Sequence, residues 1–469
     1  MYFPEESNSG LQLIRPRILP TLDRHFRPAI LANRAFAAQA TVPVDVALER
    51  APGSVARFHT RLVPHGQPEA RGNFRYIERW LKFLLWSRGA CKIHFSGPAD
   101  IADQLQRYFR DTSTGRFDAD IMGARIYERA FGVIPCEVEQ LPAESERAAP
   151  LGKHWDGCRI GFDLGASDRK VAAVQDGKTV FSEEVVWDPR AHSDPQWHFD
   201  QIMDSLRRAA AHLPRVDGIG GSAAGVYVDN QVKVASLFRG VPEHLFQSRI
   251  KNLFIELRNV WNGIPFDVVN DGEVTALAGA MSLNDLAVLG VAMGSSQAAG
   301  FVNPEGNITS WLNELAFAPI DYNPAAPVDE WSGDYGCGVQ YFSQQGVGRL
   351  IPASGLKIDL GLGLPEKLIA VQQAMAAGDE RAEAIYETIG VYLGYTIAHY
   401  AEFYSFRNLL LLGRVTTGAG GGLIVHRAEA VLREEFPELA IRIHMPDEKE
   451  KRHGQAMAAA SLPVITASV

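Results

Sequence analysis

Two glycine hairpins of matching spacing constrain the fold of this 469-residue chain more than any other feature. After the segment RIGFD, the loop residue Gly165 precedes the turn residue Gly177 by twelve positions, and after LAVLGVAM, Gly294 precedes Gly306 by the same twelve. Each pair is flanked by apolar runs that predict strand, loop, strand, turn and strand. The pairing predicts an internally duplicated protein. Coincidence is the alternative, because the chain contains 43 glycines.

Helical patterns separate the predicted strands in the rest of the chain. The helices that we predict lie at 198–213, 243–260, 272–283, 364–376, 380–406 and 425–435. Strands such as PFDVVN and NLLLLG stand between them. Alternation of this kind is typical of α/β folds, so we predict an α/β body that begins near Cys158.

The first 150 residues have a different sequence pattern. An amphipathic helix is predicted over Phe74–Arg88, followed by the strand CKIHFSG and by a second helix that begins at Pro98. The aromatic residues of the first helix, among them Phe83 and Trp86, are predicted to be core residues. A linker is predicted at 142–152. We therefore expect a separate N-terminal α/β domain.

Composition excludes several classes of protein. The formal charge of −9 argues against binding of nucleic acid over the whole surface, although residues 1–150 carry a slight positive excess. The four cysteines are scattered without CxxC pairs, which predicts neither a disulfide framework nor a clustered zinc site. Apolar runs are too short to cross a membrane, and the N-terminus lacks a signal pattern. We expect a cytoplasmic location.

The glycine loop of the first hairpin has the chemistry of a phosphate site. Asp163, Gly165 and Ser167 end one strand and open the next, where backbone N–H groups and a hydroxyl can converge on an anion. A carboxylate beside a phosphate requires a cation, and Mg²⁺ is the usual one. Gly294 and Ser295 of the second hairpin could supply the other half of such a site. The simpler alternative is that each loop is only a turn.

A second polar pair, Asn270-Asp271, follows the predicted strand PFDVV and precedes a helix. Ligands of α/β sheets usually bind at such carboxyl ends of strands. An aspartate there can accept the proton of a substrate hydroxyl that attacks a γ-phosphate, and an asparagine can orient that hydroxyl. A helix cap is an equally simple explanation of the dipeptide.

Taken in order, the motifs of the chain resemble those of the ROK family, sugar kinases and repressors of the actin/hexokinase ATPase superfamily. The segments that carry the resemblance span roughly residues 157–465 and include GFDLGASDRK, VVNDGEVTALAGA, LGVAMGSSQAAGF, LNELAF, GCGVQYFS and HGQAMAAASL. The resemblance implies a duplicated, ribonuclease-H-like fold of two lobes, one at 154–283 plus 450–469 and the other at 284–449. It also implies ATP and Mg²⁺ in the cleft between them.

The resemblance assigns roles to individual residues. Asp271 would be the general base, Asn270 and Glu314 would contact the substrate, and Asp163 would anchor the magnesium ion. The residues around the phosphates and the adenine would be Asp163, Gly165, Ser167, Gly294, Ser295, Gly413 and the loop 418–422. The substrate implied is a small sugar or another polyhydroxylated molecule.

Departures from the family pattern complicate that assignment. Phe317 and Val339 stand where the family has a histidine and a second glutamate that bind sugar hydroxyls, so glucose is a doubtful substrate. Of the family's zinc ligands only Cys337 is present, and we predict no structural zinc. The loop MGSSQAAG replaces a run of glycines.

Three functional hypotheses follow. The first is an ATP-dependent phosphotransferase acting on a sugar-like molecule. The second is a ligand sensor or regulator that has lost catalysis, motivated by Phe317 and Val339. The third is an ATPase coupled to a partner through residues 1–150, a domain that does not resemble the family's DNA-binding helix-turn-helix and is expected to pack on the lobes or to form a homodimer interface.

Overall fold

The computed structural model describes residues 10–51, 54–146, 148–149, 152–309, 311–445 and 448–465. Within those ranges, none of the helices combines the length and apolar character needed to cross a membrane. Strands fall into four sheets, and three of these organise the protein.

The N-terminal third is an α/β unit built on a four-stranded sheet. Its elements are α1 (Ala29–Ala37), β1 (Val42–Ala51), β2 (Ser54–Leu62), α2 (Asn73–Arg88), β3 (Lys92–Ser96), α3 (Ala99–Asp111), α4 (Ser113–Ala119) and β4 (Gly132–Pro135). The strand order is β2-β1-β3-β4, with β3 and β4 parallel and the other pairs antiparallel. The helix predicted at Phe74–Arg88 is confirmed as α2. It ends where Gly89 takes a positive φ of 78°.

The predicted linker contains a short strand. Residues 148–149 form β5 (Ala148–Ala149), which pairs with the edge of a sheet far along the chain. The connection between the N-terminal third and the rest of the protein is therefore partly held in a sheet.

The first lobe is built on a five-stranded sheet. Its elements are β6 (Cys158–Leu164), β7 (Asp168–Gln175), β8 (Lys178–Val186), α5 (Pro195–Ala210), β9 (Gly218–Ala223), β10 (Val226–Val228), β11 (Gln231–Val234), α6 (Glu243–Leu245), α7 (Leu253–Val260), β12 (Phe266–Asn270) and α8 (Asp271–Ser282). The sheet order is β12-β9-β6-β7-β8, and β10 and β11 form a separate hairpin.

The second lobe repeats this plan. Its elements are β13 (Val288–Met293), β14 (Gln297–Val302), β15 (Ile308–Thr309), α9 (Gln344–Ser354), α10 (Leu364–Ala376), α11 (Glu380–Ala401), β16 (Asn408–Leu412), α12 (Ala419–Glu435), β17 (Arg442–His444) and α13 (Glu448–Ala460). The sheet order is β17-β16-β13-β14-β15, with β5 added at the edge.

The two sheets confirm the predicted duplication and the predicted fold class. In each lobe an antiparallel three-stranded meander is followed by two strands that join it in parallel on the other side. This is the ribonuclease-H-like arrangement, present twice and preceded by an N-terminal α/β unit.

The helix that follows the last strand of each sheet covers the sheet of the other lobe. Helix α8, which follows the last strand of the first sheet, packs on β13 and β14, whereas the C-terminal α13 packs on β6, β7 and β9. Glycines permit the close approach, since a Cβ at Gly272 would collide with the carbonyl of Ala299 and a Cβ at Gly161 with that of Ala456.

The hydrophobic core divides the molecule differently from the sheets. One core extends without interruption from the N-terminal third into the second lobe, where Phe83 of α2 stacks on Phe403 with ring centroids 4.1 Å apart. The first lobe has its own core around residues such as Phe162 and Phe254. The predicted core residues Phe83 and Trp86 are confirmed as buried.

Four predicted helices differ from the structure. The helix predicted at 198–213 begins and ends three residues earlier, at Pro195–Ala210. The helix predicted at 243–260 is interrupted, because a wide turn over Phe246–Ile250 separates α6 from α7. The helix predicted to reach 406 ends at Ala401, before the strand β16. The helix predicted at 425–435 begins six residues earlier, since the glycine-rich segment after Gly418 forms its first turn.

Candidate active site

The carboxyl edge of the first sheet places Asp163 in a polar setting. Asp163 lies near the end of β6 and is 4% exposed, and its Oδ1 accepts a hydrogen bond of 2.6 Å from the hydroxyl of Ser222 on β9. The ammonium of Lys170 lies 3.6 Å from the other carboxylate oxygen and 2.6 Å from Asp168. Burial raises the pKa of Asp163, and the positive charge of Lys170 opposes that rise.

Asn270 and Asp271 lie at the neighbouring strand end, where β12 passes into α8. The side chain of Asn270 caps the helix, since its Oδ1 accepts a 2.7 Å bond from the Gly272 N–H and its Nδ2 donates to the carbonyl of Gly225. The residue that caps α8 is therefore Asn270. Its side chain retains one N–H group and one oxygen lone pair that can bind a ligand. Asp271 is half-buried, and burial followed by the charge of Asp163 raises its pKa to about 6.

Two further carboxyl groups join this cluster from opposite lobes. Glu314 precedes α9 in a long loop of the second lobe, and Glu273 lies in the first turn of α8. Burial raises the pKa of each to about 8, with the charge of Asp271 adding to the rise at Glu314 and that of Glu314 adding to the rise at Glu273. Tyr227 of the β10–β11 hairpin faces the same group. Sequence reasoning missed Glu273, although its place two residues after Asp271 puts it in the same helical turn.

The predicted phosphate loop of the first lobe contacts the second lobe. The Gly165 N–H donates to the Asp168 carbonyl at 2.9 Å, which closes the tight hairpin between β6 and β7. The hydroxyl of Ser167 accepts a 3.2 Å bond from Arg414, which follows Gly413 at the end of β16. Arg414 was not among the predicted residues. A basic residue next to a strand-end glycine could have indicated it.

The corresponding loops of the second lobe lie side by side. Gly294 closes its own hairpin by an N–H bond of 2.9 Å to the carbonyl of Ser296, and Ser295 is exposed. Gly413 has a φ of +97°, and any Cβ there would collide with the carbonyl of Met293. The parallel pairing of β13 and β16 therefore brings the predicted residues Gly294 and Gly413 together.

A cavity of about 160 Å³ opens beside these loops. Its walls are formed by Gln344, Pro365, Leu368, Ile369, Gln372, Arg414 and Thr417. The backbone N–H of Gln344 donates to the Gly294 carbonyl at 2.9 Å, and the side-chain Oε1 of this buried residue has no partner among the described residues. A flat, largely apolar cleft with a free amide oxygen suits a nucleobase whose phosphates extend toward Ser167 and Arg414.

The donor set at the cleft fits a magnesium nucleotide. Asp163 and Asp271 repel each other electrostatically, and a hydrated divalent cation between them would remove that repulsion. No group of three or more His, Cys, Asp or Glu side chains in the described ranges forms a ready metal cage. Such a cation would therefore be held largely by water and by phosphate oxygens.

The two apolar departures from the family pattern belong to the core shared with the N-terminal third. Phe317 is 8% exposed and its ring packs on Trp86 of α2 with centroids 4.4 Å apart. Val339 is 3% exposed in the same core. Apolar side chains are suitable at both positions because helix α2 covers this part of the second lobe.

Fold and site together define a two-lobed body of the actin/hexokinase type, with acidic groups at the bottom of its cleft. Solved ROK proteins share this fold. The ROK hexokinase from Thermus thermophilus is 16% identical and aligns over 65% of this chain and 97% of its own, with a TM-score of 0.52. A ROK family transcriptional regulator, a homologue of the E. coli MLC protein, is 19% identical over 69% of this chain and 80% of its own, with a TM-score of 0.51.

Searches by sequence gave a different result, because no family model and no curated protein matches the chain. The relationship lies in the arrangement of the strands and helices. The protein has the fold of the ROK proteins, and about a third of the chain lies outside the region that the hexokinase covers.

Proposed function

We propose that this protein is an ATP-dependent phosphotransferase that acts on a hydroxyl group of a sugar or another polyhydroxylated small molecule. The observation that carries the proposal is the position of Asp271. It is a half-buried carboxylate at the carboxyl end of β12, beside Asp163 and facing Glu314 across the cleft. One solved protein of this fold is a hexokinase and another is a transcriptional regulator, so the function must be argued from the site rather than from the fold.

Asp271 has the properties of a general base. A pKa of about 6 leaves the carboxylate ionised at neutral pH and more basic than an ordinary aspartate. In the proposed reaction Asp271 accepts the proton of the substrate hydroxyl while the hydroxyl oxygen bonds to the γ-phosphorus. The bond between the γ-phosphorus and the oxygen that bridges to the β-phosphate breaks, and ADP leaves. Asn270 supplies its spare N–H to orient that hydroxyl.

The carboxyl groups of Glu314 and Glu273 are suited to neutral hydroxyl ligands. With a pKa of about 8, each is largely protonated at neutral pH and can both donate and accept a hydrogen bond. We propose that Glu314 contacts the substrate in this form. Two ionised glutamates would bind a neutral polyol less well, because each would lose its donor.

The nucleotide is proposed to bind between the lobes. The base would occupy the cavity lined by Gln344 and Leu368, and the phosphates would extend past Arg414 to Ser167 and Lys170. Bound ATP supplies the transferable phosphoryl group, and the accompanying Mg²⁺ ion neutralises the negative charge of the phosphates. The contribution of the chain is to bind, to orient and to remove one proton.

A ligand sensor is the second candidate, and the position of Lys170 favours it. The ammonium of Lys170 lies near Asp163, where the kinase proposal requires a hydrated metal ion. A protein that used this lysine as a permanent counter-ion would bind ligands in the cleft and transfer no phosphate.

The test is a matched pair of substitutions, one at the first residue of α8 and one on the preceding strand β12. Asp271→Asn should lower phosphoryl transfer to an active sugar or polyol by about 10²- to 10⁴-fold, measured as ADP release over a panel of such compounds. Asp267→Asn, on β12 and away from its carboxyl end, is the control and should leave turnover near that of the wild type. Equal turnover in both variants contradicts the role of Asp271. A wild type that binds ATP and transfers phosphate to no compound supports the sensor.

A further inference from the structure

The loop that carries Glu314 is bound to the last turn of α2. The backbone N–H of Glu314 donates to the carbonyl of Trp86 at 2.9 Å, and the N–H of Asn313 donates to the carbonyl of Ser87 at 3.0 Å. The last carbonyls of a helix have no partner within the helix, so they are free to accept bonds from another segment. Gly89 turns the chain away and leaves these carbonyls accessible to the loop.

Asn313 shows that the loop needs this support. Its φ of 53° lies in the left-handed region, which is unfavourable for residues other than glycine and is tolerated best by asparagine. The residue is 2% exposed, and its Oδ1 accepts a 3.0 Å bond from the hydroxyl of Tyr404. Such a conformation persists only when surrounding contacts fix it, and here the contacts come from α2 and Tyr404.

A buried ion cluster holds the other side of the same loop. Arg79 and Lys82 of α2 lie 2.9 and 2.8 Å from the Oδ2 of Asp334, and all three side chains are almost fully buried. Asp118 completes the cluster from α4, at 2.9 Å from Lys82, and accepts a bond from Trp86 Nε1 at 3.0 Å. Buried charges of this kind are costly to separate, because removal of one partner leaves the other unpaired.

The Asp334 segment returns directly to the Glu314 segment. The N–H of Val339 donates to the carbonyl of Ala316 at 3.0 Å, and the N–H of Gly338 donates to that of Ala318 at 3.1 Å. Helix α2 therefore fixes the loop twice, through its last carbonyls at residues 313–314 and through Asp334 at residues 334–339.

We propose that α2 of the N-terminal third is a positioning element of the substrate site, in which Lys82 and the last turn of the helix set the place of the Glu314 carboxyl in the cleft. The proposal rests on the proposed function and extends it. The N-terminal third is on this view a part of the substrate site rather than an appended domain. Lys82 is a positioning residue because it acts through Asp334 and has no contact with substrate.

The test separates the acceptor substrate from the nucleotide. Lys82→Met should raise the KM for the acceptor by about 10-fold or more, because Glu314 is displaced. It should leave the KM for ATP within about 2-fold of wild type, because no residue of α2 lines the cavity proposed for the nucleotide. Tyr404→Phe is a milder change that removes the hydroxyl bond to Asn313 and the hydrogen bonds of that hydroxyl to Ser87 and Arg88 in the last turn of α2. It should raise the acceptor KM by about 3-fold with the same selectivity.

Tyr392→Phe is the matched control, since it removes a hydroxyl in the same core that binds Asp23, away from Glu314. It should leave both KM values unchanged. If Lys82→Met does not fold, Tyr404→Phe decides. An acceptor KM that is unchanged in the folded variants of an active protein overturns the positioning role alone. If the wild type transfers no phosphoryl group, the proposed function is overturned, and the role of α2 in positioning a catalytic substrate site is overturned with it.

Discussion

The two lobes have the same strand order but differ in what completes them. The first lobe encloses a core of its own, around Phe162 and Phe254. The second lobe shares a single core with the N-terminal third, and its sheet gains β5 from the segment between them. The two copies of one topology therefore differ in their packing, since the core of the second extends into an added unit.

The functional groups are divided in a similar way. The first lobe carries Asp163 and Asp271, whereas the corresponding positions of the second copy, by alignment of the strands, are Ala292 and Met445. The second lobe supplies instead the cavity beside Gln344 and the long loop with Glu314. On the proposed function, the first lobe would therefore carry the groups that bind and move protons, and the second lobe would carry those that recognise ligands.

Core truncations should show the largest effect and test the difference in support directly. Phe83→Ala and Phe254→Ala should each lower the free energy of unfolding by about 3–5 kcal/mol, since both rings are fully buried. Phe83→Ala should loosen the N-terminal third and the second lobe together, and Phe254→Ala only the first lobe. Calorimetry with hydrogen exchange can map both. Loosening confined to residues 10–146 in Phe83→Ala would contradict a shared core.

The contact between the lobes at the phosphate loop should give the next largest effect. Arg414→Gln removes the charge that bonds Ser167 and should weaken ATP binding by about 1.5–3 kcal/mol, or 10- to 100-fold, in titration calorimetry. Arg407→Gln, at the other end of β16 and paired with Asp285, is the control and should have little effect. An equal loss of ATP affinity in both variants would show that Arg414 acts only through the net charge of the protein and not through its contact with Ser167.

The pH dependence should separate the contributions of the lobes. We expect kcat/KM to rise tenfold per pH unit until about pH 6, as Asp271 loses its proton beside Asp163, and to fall above about pH 8, as Glu273 and Glu314 ionise near Tyr227. These raised pKa values also mean that the stability contributed by the carboxyls is fully present below their ordinary pKa values of 3.8 and 4.5. It is lost as the pH rises from there to about 6 for Asp271 and to about 8 for Glu273 and Glu314.

Glu314→Gln tests which lobe governs the alkaline limb. The substitution should move or flatten the fall above pH 8 and leave the rise near pH 6 in place, because Asp163 rather than Glu314 accompanies burial in raising the pKa of Asp271. Lys170, which faces Asp163, stays charged over this range and does not shape either limb. A profile without change across this range would remove Asp271 and Glu314 as titrating groups.

A surface contact should give the smallest effect. Glu128 of the N-terminal third pairs with Lys233 at 3.0 Å and with Lys251, both in the first lobe. Glu128→Gln should lower stability by less than about 1 kcal/mol, and the loss should shrink at high salt, as measured by chemical unfolding. A loss of several kcal/mol would mean that the N-terminal third supports both lobes alike.

Local signals in the sequence predicted the duplicated body well. The pair Asp176-Gly177 has positive φ at both residues, 47° and 78°, as a two-residue hairpin turn requires. Asp163, Asn270 and Asp271 were predicted because ligands of α/β sheets usually bind at the carboxyl ends of strands. Their roles stay predictions, whereas their convergence in space is now described.

Long-range contacts explain what the sequence did not indicate. Helix α2 was predicted to be amphipathic, yet Arg79, Lys82 and Arg88 are buried. A charged side chain suggests a solvated face unless its partner is known, and Asp334 lies more than 250 residues away. Arg414 was missed for the same reason, since its partner Ser167 belongs to the other lobe. The end of the helix predicted to reach 406 was also missed, because it is set by the strand β16 that follows.

The exchange of α8 and α13 has a consequence for how the protein can be divided. A cut in the loop between α8 and β13 would give an N-terminal fragment that carries the covering helix of the second sheet and lacks its own, and a C-terminal fragment with the reverse problem. Each fragment would expose an uncovered sheet that only the other can close, as in a domain-swapped dimer. The two halves should therefore behave as an obligate complementing pair, although the sheets that they contain have the same design.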